Sequence, residues 1–397
     1  MKQSWEIKKL GEVCKVIAGQ SPEGKFYNSE GNGMPFYQGK KEYGEKYIGE
    51  PTTWTTKITK EAEAGDILMS VRAPVGPVNF ATQKICIGRG LAAIRAGKYI
   101  EKEFLYTFLI KHENEIEGNA GAVFNSINKT QIENIEIPLP PLPEQQRIVA
   151  KLDVSFAAIA KVKVNAEQNL KNAKELFESY LQAVFEKKGD GWEDRKVNEI
   201  GLAQTGTTPK TAEKENYGDF IPFIKPADVD FSGIGDIRYD NEGLSEIGLK
   251  KGRKMESGSI LMVCIGATIG KVGFAERDVS CNQQINSLTV KKEFEPKFIY
   301  YAMTSKEFQE KVLLEGKGAQ ATLPIINKSK WENLTISFPK SKEAQQTIVR
   351  QLDALRAEKK KLEAVYQKKI DDLEELKKSI LQKAFNGELA EPVGELS

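Results

Sequence analysis

The sequence predicts an α+β protein in which two homologous globular domains are separated by a long antiparallel two-helix coiled coil, a pseudo-two-fold arrangement. Three observations predict it. The chain repeats itself once along nearly its whole length, and each copy divides into a turn-punctuated part and a proline-free part. The passage between those parts is written twice, as PLPPLPEQQRIVAKLD from Pro138 to Asp153 and as SFPKSKEAQQTIVRQLD from Ser337 to Asp353.

The repeat decides the architecture, because a period this long marks a duplicated domain. WEIKKLGEVCKVIAGQSP from Trp5 lies over WEDRKVNEIGLAQTGTTP from Trp192, placing Gly19 on Gly206 and Pro22 on Pro209. MPFYQGK at Met34 lies over IPFIKPA at Ile221. AGDILMSV from Ala64 lies over SGSILMV from Ser257, and INKTQIENIEI from Ile127 over INKSKWENLTI from Ile326. SYLQAVF ending at Phe185 matches SILQKAF ending at Phe385. The register drifts slowly, as loop insertions would make it.

The first part of each copy alternates short apolar runs (GDILMSV, ENIEIPL, GSILMVCIG) with glycine, proline and asparagine turns, the pattern of strands. One helix per copy is expected, around EKEFLYTFLIKHENEIE and EPKFIYYAMTSKEFQEKVLLE. The second part reads as one long helix. Ile148, Leu152, Phe156, Ile159, Val162, Ala166, Leu170, Ala173, Leu176, Tyr180 and Val184 recur three and four apart, and Ile348, Leu352, Leu355, Leu362, Tyr366, Ile370, Leu373, Leu376, Ile380 and Ala384 do the same. Proline near the start, Glu144 in the first turn and Ser341 as an N-cap suit the unpaired N–H groups of a helix beginning. The resulting segments are 1–143 and 189–340 for the domains, 144–188 and 341–386 for the helices, and 387–397 for a tail.

Composition narrows the function. A chain of 397 residues with 40% hydrophobic content exceeds a single core, and a formal charge of +2 gives no global basic field. Four scattered cysteines and one histidine argue against zinc. The N-terminus lacks an apolar signal core, and the longest uncharged run, Ser257 to Gly270, is too short and glycine-rich to span a bilayer, so a cytoplasmic protein with reduced thiols and no membrane partner is expected. GATIGKV at Gly266 to Val272 has the wrong glycine spacing for a phosphate loop and reads as a strand turn. His112 is expected on a solvated helix face, and Asp228 and Asp230 in a solvated loop. No amino-methyltransferase element of the N-P-P-Y type occurs.

The doubled junction, the tryptophan-led openings WEIKKLGEV and WEDRKVNEI, the GQSP and GTTP turns and the IPFIKPADVD segment together resemble the specificity subunit of type I restriction-modification enzymes, across essentially the whole chain. The resemblance implies two target-recognition domains that read the halves of a split double-stranded DNA site, and two helices that set the spacer and dock two methyltransferase subunits. It leaves room for restriction or motor subunits. It implies no cofactor in this chain, with S-adenosylmethionine, ATP and magnesium used by the partners, and no catalysis by the chain itself. A two-headed coiled-coil scaffold that binds proteins is the alternative reading.

The copies share a framework and differ in loops, so unlike half-sites are expected. Major-groove edges call for arginine or lysine at guanine and asparagine or glutamine at adenine. The candidates in the first domain are Gln20, Gln38, Lys40, Lys41, Tyr43, Arg72 and Arg89. In the second they are Thr207, Lys210, Lys225, Arg238, Asn282, Gln283 and Gln284. Tyr37 and Tyr217 join Tyr43 as side chains that could stack or touch phosphate.

Overall fold

The computed structural model describes residues 5–118, 126–189, 191–230, 235–316 and 324–389. Residues 390–397 of the tail named above lie outside them. The chain forms two compact units, Met1–Glu167 with Gln367–Ser397, and Gln168–Tyr366. These units run differently from the segment boundaries read in the sequence, because each long helix is shared between them.

Each unit is mixed α and β, and the strand order is the same in both. In the first, a four-stranded sheet runs Cys14–Ala18, Leu91–Ala96, Ile67–Ser70, Val78–Phe80; in the second it runs Gly201–Thr205, Ile285–Val290, Ile260–Val263, Val272–Phe274. Beside each lies a second sheet with one parallel pairing, Met34–Tyr37 on Ile85–Ile87 and Tyr217–Ile224 on Val279–Cys281. A short strand flanks each of these from the far side, Glu61–Ala62 and Lys254–Met255. Burial explains the uninterrupted apolar runs. Ile67 and Met69 enter one core cluster and Leu68 another, while Ile260 and Met262 separate in the same way from Leu261 and Val263. Successive side chains point to opposite faces, so a sheet covered on both sides admits no polar alternation.

The long helices span Leu142–Glu186 (45 residues) and Lys342–Phe385 (44 residues). Within the first unit they pair antiparallel: Lys163 Nζ lies 2.6 Å from Glu374 Oε1, and the Lys377 ammonium sits 5.3 Å from the Phe156 ring centre. Leu381, Ala384 and Phe385 then join Ile148, Leu152, Phe104 and Phe108 in the core. The second unit pairs other parts of the same helices in the same sense. Tyr180 donates to Gln351 Oε1 (3.1 Å), Lys359 sits 5.2 Å from the Phe177 ring centre, and Leu181 and Phe185 pack in the cluster that holds Leu352. Leu176 and Leu376 depart from the expected stripes. They are 65% and 46% exposed, and Phe177 faces inward instead of Leu176.

The doubled junction has a specific physical cause. The tryptophan-led strands Glu6–Lys9 and Trp192–Lys196 pair with Glu136–Leu139 and Thr335–Pro339, which carry the chain into the helices. At each helix start the first glutamine of the QQ pair is fully buried and bound to backbone. Gln145 accepts from Glu101 N (2.8 Å) and donates to Tyr99 O (3.0 Å) and Pro140 O (2.8 Å). Gln345 accepts from Glu295 N (2.9 Å) and donates to Pro339 O (2.9 Å). A side chain with both a donor and an acceptor ties three stretches of backbone together, and the glutamine amide does this without charge, through two N–H donors on one atom and an acceptor oxygen on another. Ser341 Oγ accepts from Ala344 N (3.3 Å), as an N-cap should.

Three local expectations need correction. The second copy's single helix is two, Pro296–Thr304 and Lys306–Gly316, because Ser305 turns extended and its buried hydroxyl donates back to Ala302 O (2.6 Å) and accepts from Phe308 N (3.4 Å). Asp228 is fully buried rather than solvated, accepting from Lys225 N (3.0 Å) and from the Asn241 amide (3.1 Å) to staple its loop. His112 is half-buried and stacked on Phe108. Gly266 and Gly270 do form a strand turn, both at positive φ, between Ile260–Val263 and Val272–Phe274. No helix among the described residues is long and apolar enough to cross a membrane.

Candidate functional site

In the first unit four loops meet at one end of the central sheet. Gly19 N donates to Leu91 O and Gln20 N to Ile87 O (both 2.9 Å), Gly88 N to Tyr37 O (2.8 Å), Leu91 N to Gly88 O (3.0 Å), Val71 N to Gly90 O (2.9 Å) and Ile127 N to Val71 O (3.0 Å). The second unit repeats all six. Gly206 N donates to Ile285 O, Thr207 N to Cys281 O, Asn282 N to Ile224 O, Ile285 N to Asn282 O, Cys264 N to Gln284 O and Ile326 N to Cys264 O, at 2.8–3.1 Å. Gly19 and Gly206 allow this approach, since a Cβ on either would collide with the carbonyls of Gly88 or Asn282. The GQSP and GTTP turns are fastened alike: Tyr27 donates to Pro22 O (2.8 Å) and Tyr217 to Pro209 O (2.9 Å).

On this common backbone the side chains differ. Equivalent positions carry Gln20 and Thr207, Gln38 and Lys225, Arg72 and Ile265, Arg89 and Gln283. Gln20, Gln38, Lys40, Lys41, Arg72 and Arg89 are exposed, and among the described residues no carboxylate pairs with Lys40, Lys41, Arg72 or Arg89. Backbone bonds hold Arg89 N to Ser21 Oγ (3.1 Å) and Arg238 N to Asp228 O (2.9 Å), leaving both side chains at the surface.

Several candidates are engaged in holding the loops instead. Tyr37 is 1% exposed and donates to Gly49 O (2.9 Å), and burial pushes its hydroxyl up to about 12, with Glu42 and Glu50 adding to the rise. Tyr43 donates to Leu68 O (2.8 Å), and burial raises it likewise. Tyr217 is the turn clamp already described. A tyrosine whose hydroxyl is bound inside cannot present it to phosphate. Asn282 is 8% exposed and locked to Gln284, its amide donating to Gln284 Oε1 (3.0 Å) and its oxygen accepting from Gln284 N (3.1 Å). Lys225 pairs with Glu242 and Lys210 lies 3.6 Å from Glu213, whereas Gln283, whose oxygen accepts from the Thr208 hydroxyl, stays exposed. Thr207 is half-buried.

Sequence reasoning missed Lys60 and Arg253, both exposed at the rim of these loops. Lys60 O accepts from Ile87 N (2.8 Å), and Arg253 Nη1 donates to Thr205 O (2.7 Å). Extending the match of AGDILMSV on SGSILMV backwards by a few residues lays one on the other. Among the described residues no group of histidine, cysteine and carboxylate side chains gathers as a metal site.

A family model described as the type I restriction modification DNA specificity domain matches residues 2–171 and again 189–371. The putative type I restriction enzyme MjaX specificity subunit of Methanocaldococcus jannaschii is 44% identical over 43% of this chain and 41% of its own length. The MjaVIII specificity subunit of the same organism is 23% identical over 98% of this chain and 93% of its own. Against the MjaX, MjaIX and HindI subunits the chain spans about half the relative's length, 41%, 57% and 42%. A solved structure from work on complex assembly and conformational transition of the type I R-M system shares the fold, with a TM-score of 0.80, 21% identity and 98% and 99% coverage of the two chains.

Proposed function

The chain belongs to the type I restriction-modification DNA specificity family, and from that premise we propose that it reads a bipartite double-stranded DNA site, one half with each unit. The observation that carries this reading is the pair of loop clusters with six matching backbone hydrogen bonds and unmatched side chains. A fixed frame that presents different donors and acceptors is what two unlike half-sites require, because each base pair shows its own pattern in the major groove. Arg72 and Arg89 suit guanine edges and Gln20 and Gln38 suit adenine edges in the first unit. Gln283 and Arg238 are their best counterparts in the second.

The reaction itself would belong to partners: two methyltransferase subunits adding a methyl group to adenine N6 from S-adenosylmethionine, and motor subunits using ATP and magnesium where cleavage occurs. The long helices would dock the former and set the unread spacer between half-sites. A helix of 45 residues extends about 65 Å at about 1.5 Å per residue. Four residues inserted after Ala166, matched by four near Tyr366, should therefore lengthen the spacer by about two base pairs and leave the halves unchanged. An active variant with an unaltered spacer would remove the helices from that role.

The deciding experiment maps methylated adenines in DNA from cells that carry this chain with its methyltransferase. The expected result is a split motif with a fixed gap. Exchange of residues 192–339 for those of a relative should change one half alone; a change in both halves, or no motif, refutes the reading. A protein-binding scaffold would also lack the steep salt dependence that phosphate contacts impose.

A further inference from the structure

Two readers of different sequences still meet one identical object, the sugar-phosphate backbone. Side chains that touch bases should differ between the copies, whereas side chains that touch phosphate should stay the same in charge. Lys60 and Arg253 meet that criterion. The strand register fixes their equivalence: Glu61 lies opposite Cys86 and Lys254 opposite Ser280, with Lys60 and Arg253 immediately before.

The neighbouring position shows that charge here is otherwise free to change. Glu61 pairs with Lys84 (2.9 Å) in the first unit, and at the same two places the second unit has Lys254 paired with Asp278 (2.5 Å). The ion pair is kept and its polarity reversed. One residue away the charge is positive in both copies, and among the described residues no carboxylate neutralises Lys60 or Arg253. Both stand against the reading loops. The Thr59 hydroxyl donates to Gln20 O, and the Arg253 guanidinium is held by the carbonyl of Thr205, beside Gly206 and Thr207.

We propose that Lys60 and Arg253 are equivalent phosphate anchors, each fixing its loop cluster on the DNA backbone of its half-site whatever the bases are. This rests on the DNA-reading function above. The test uses the full chain assembled with its methyltransferase and a duplex carrying the mapped motif, titrated over a range of salt. Lys60→Ala and Arg253→Ala should each weaken binding roughly five-fold near 0.15 M salt and reduce the log–log salt slope by about 0.9, with the methylated motif unchanged. Lys60→Arg should keep the wild-type slope, and Lys84→Ala, which removes a lysine already paired with carboxylates, should leave it alone. An unchanged slope in both alanine variants, or an altered base in either half-site, overturns the anchor assignment. A wild-type complex without any salt slope or motif would instead overturn the DNA reading, so the two failures are told apart in different samples.

Discussion

Replacing Gln145 with methionine tests the physical account of the doubled junction. Methionine keeps the length and fills the space, but removes an acceptor for Glu101 N and a donor for Tyr99 O and Pro140 O. An unsatisfied buried group costs about 1–3 kcal/mol, and the groups at Glu101 and Tyr99 are only partly shielded, so the net loss should be about 3 kcal/mol. Gln345→Met removes two bonds rather than three and should cost about 2 kcal/mol in the second unit. Gln146 is exposed beside Gln145, and Gln146→Met should stay within about 0.5 kcal/mol of wild type. Denaturant melts give the totals, and hydrogen exchange by peptide gives the location. Gln145→Met should release the amides at the start of the Lys102–Gly118 helix. If Gln145→Met and Gln146→Met were equally mild, the buried amide would not be what fastens domain to helix.

Other expectations follow from particular contacts. Arg89→Ala should relax base preference in one half-site by about 1–3 kcal/mol, and Gln283→Ala should act on the other half alone, both read by methylation mapping. The Lys163 hydrogen bond holds Glu374 below the usual carboxylate range and raises Lys163 in return. That pairing should stabilise the first unit above the ordinary glutamate value and be lost as pH falls through the lowered one. At the alkaline end it should be present below the ordinary lysine value and be lost as pH rises through the raised one. Glu374→Gln should abolish both limbs in a pH series of melts. Burial pushes the thiols of Cys14, Cys264 and Cys281 up to about 12, so iodoacetamide should label them only at the rate of unfolding.

The duplicated framework was legible because its causes are local and repeat: strands buried on both faces, glycines where loops touch, and prolines before each helix. The Gln145 and Gln345 clamps were visible as letters but not as contacts, since their partners at Tyr99, Glu101 and Glu295 lie tens of residues away. The site was half legible. Arg89 and Gln20 stand exposed in the loops to which the divergence between the copies points. Tyr43 and Asn282 carry the same chemistry, and only their partners, Leu68 O and Gln284, show that they brace the loops. Lys60 and Arg253 escaped notice because they agree between copies, while divergence guided the choice of candidates. The break at Ser305 depends on a hydroxyl that caps in both directions, which helical periodicity does not register.

The shared helices also set an order of events as the chain is made. A ribosome delivers residues from the N-terminus, and domains ordinarily close as they emerge. Here the second unit has all its segments once Tyr366 is out, whereas the first must wait for Leu381, Ala384 and Phe385 to fill the space beside Phe104 and Phe108. The earliest sequence made is thus the last to be sealed. Translation that stops shortly before Phe385 would leave the second unit whole and the first one open.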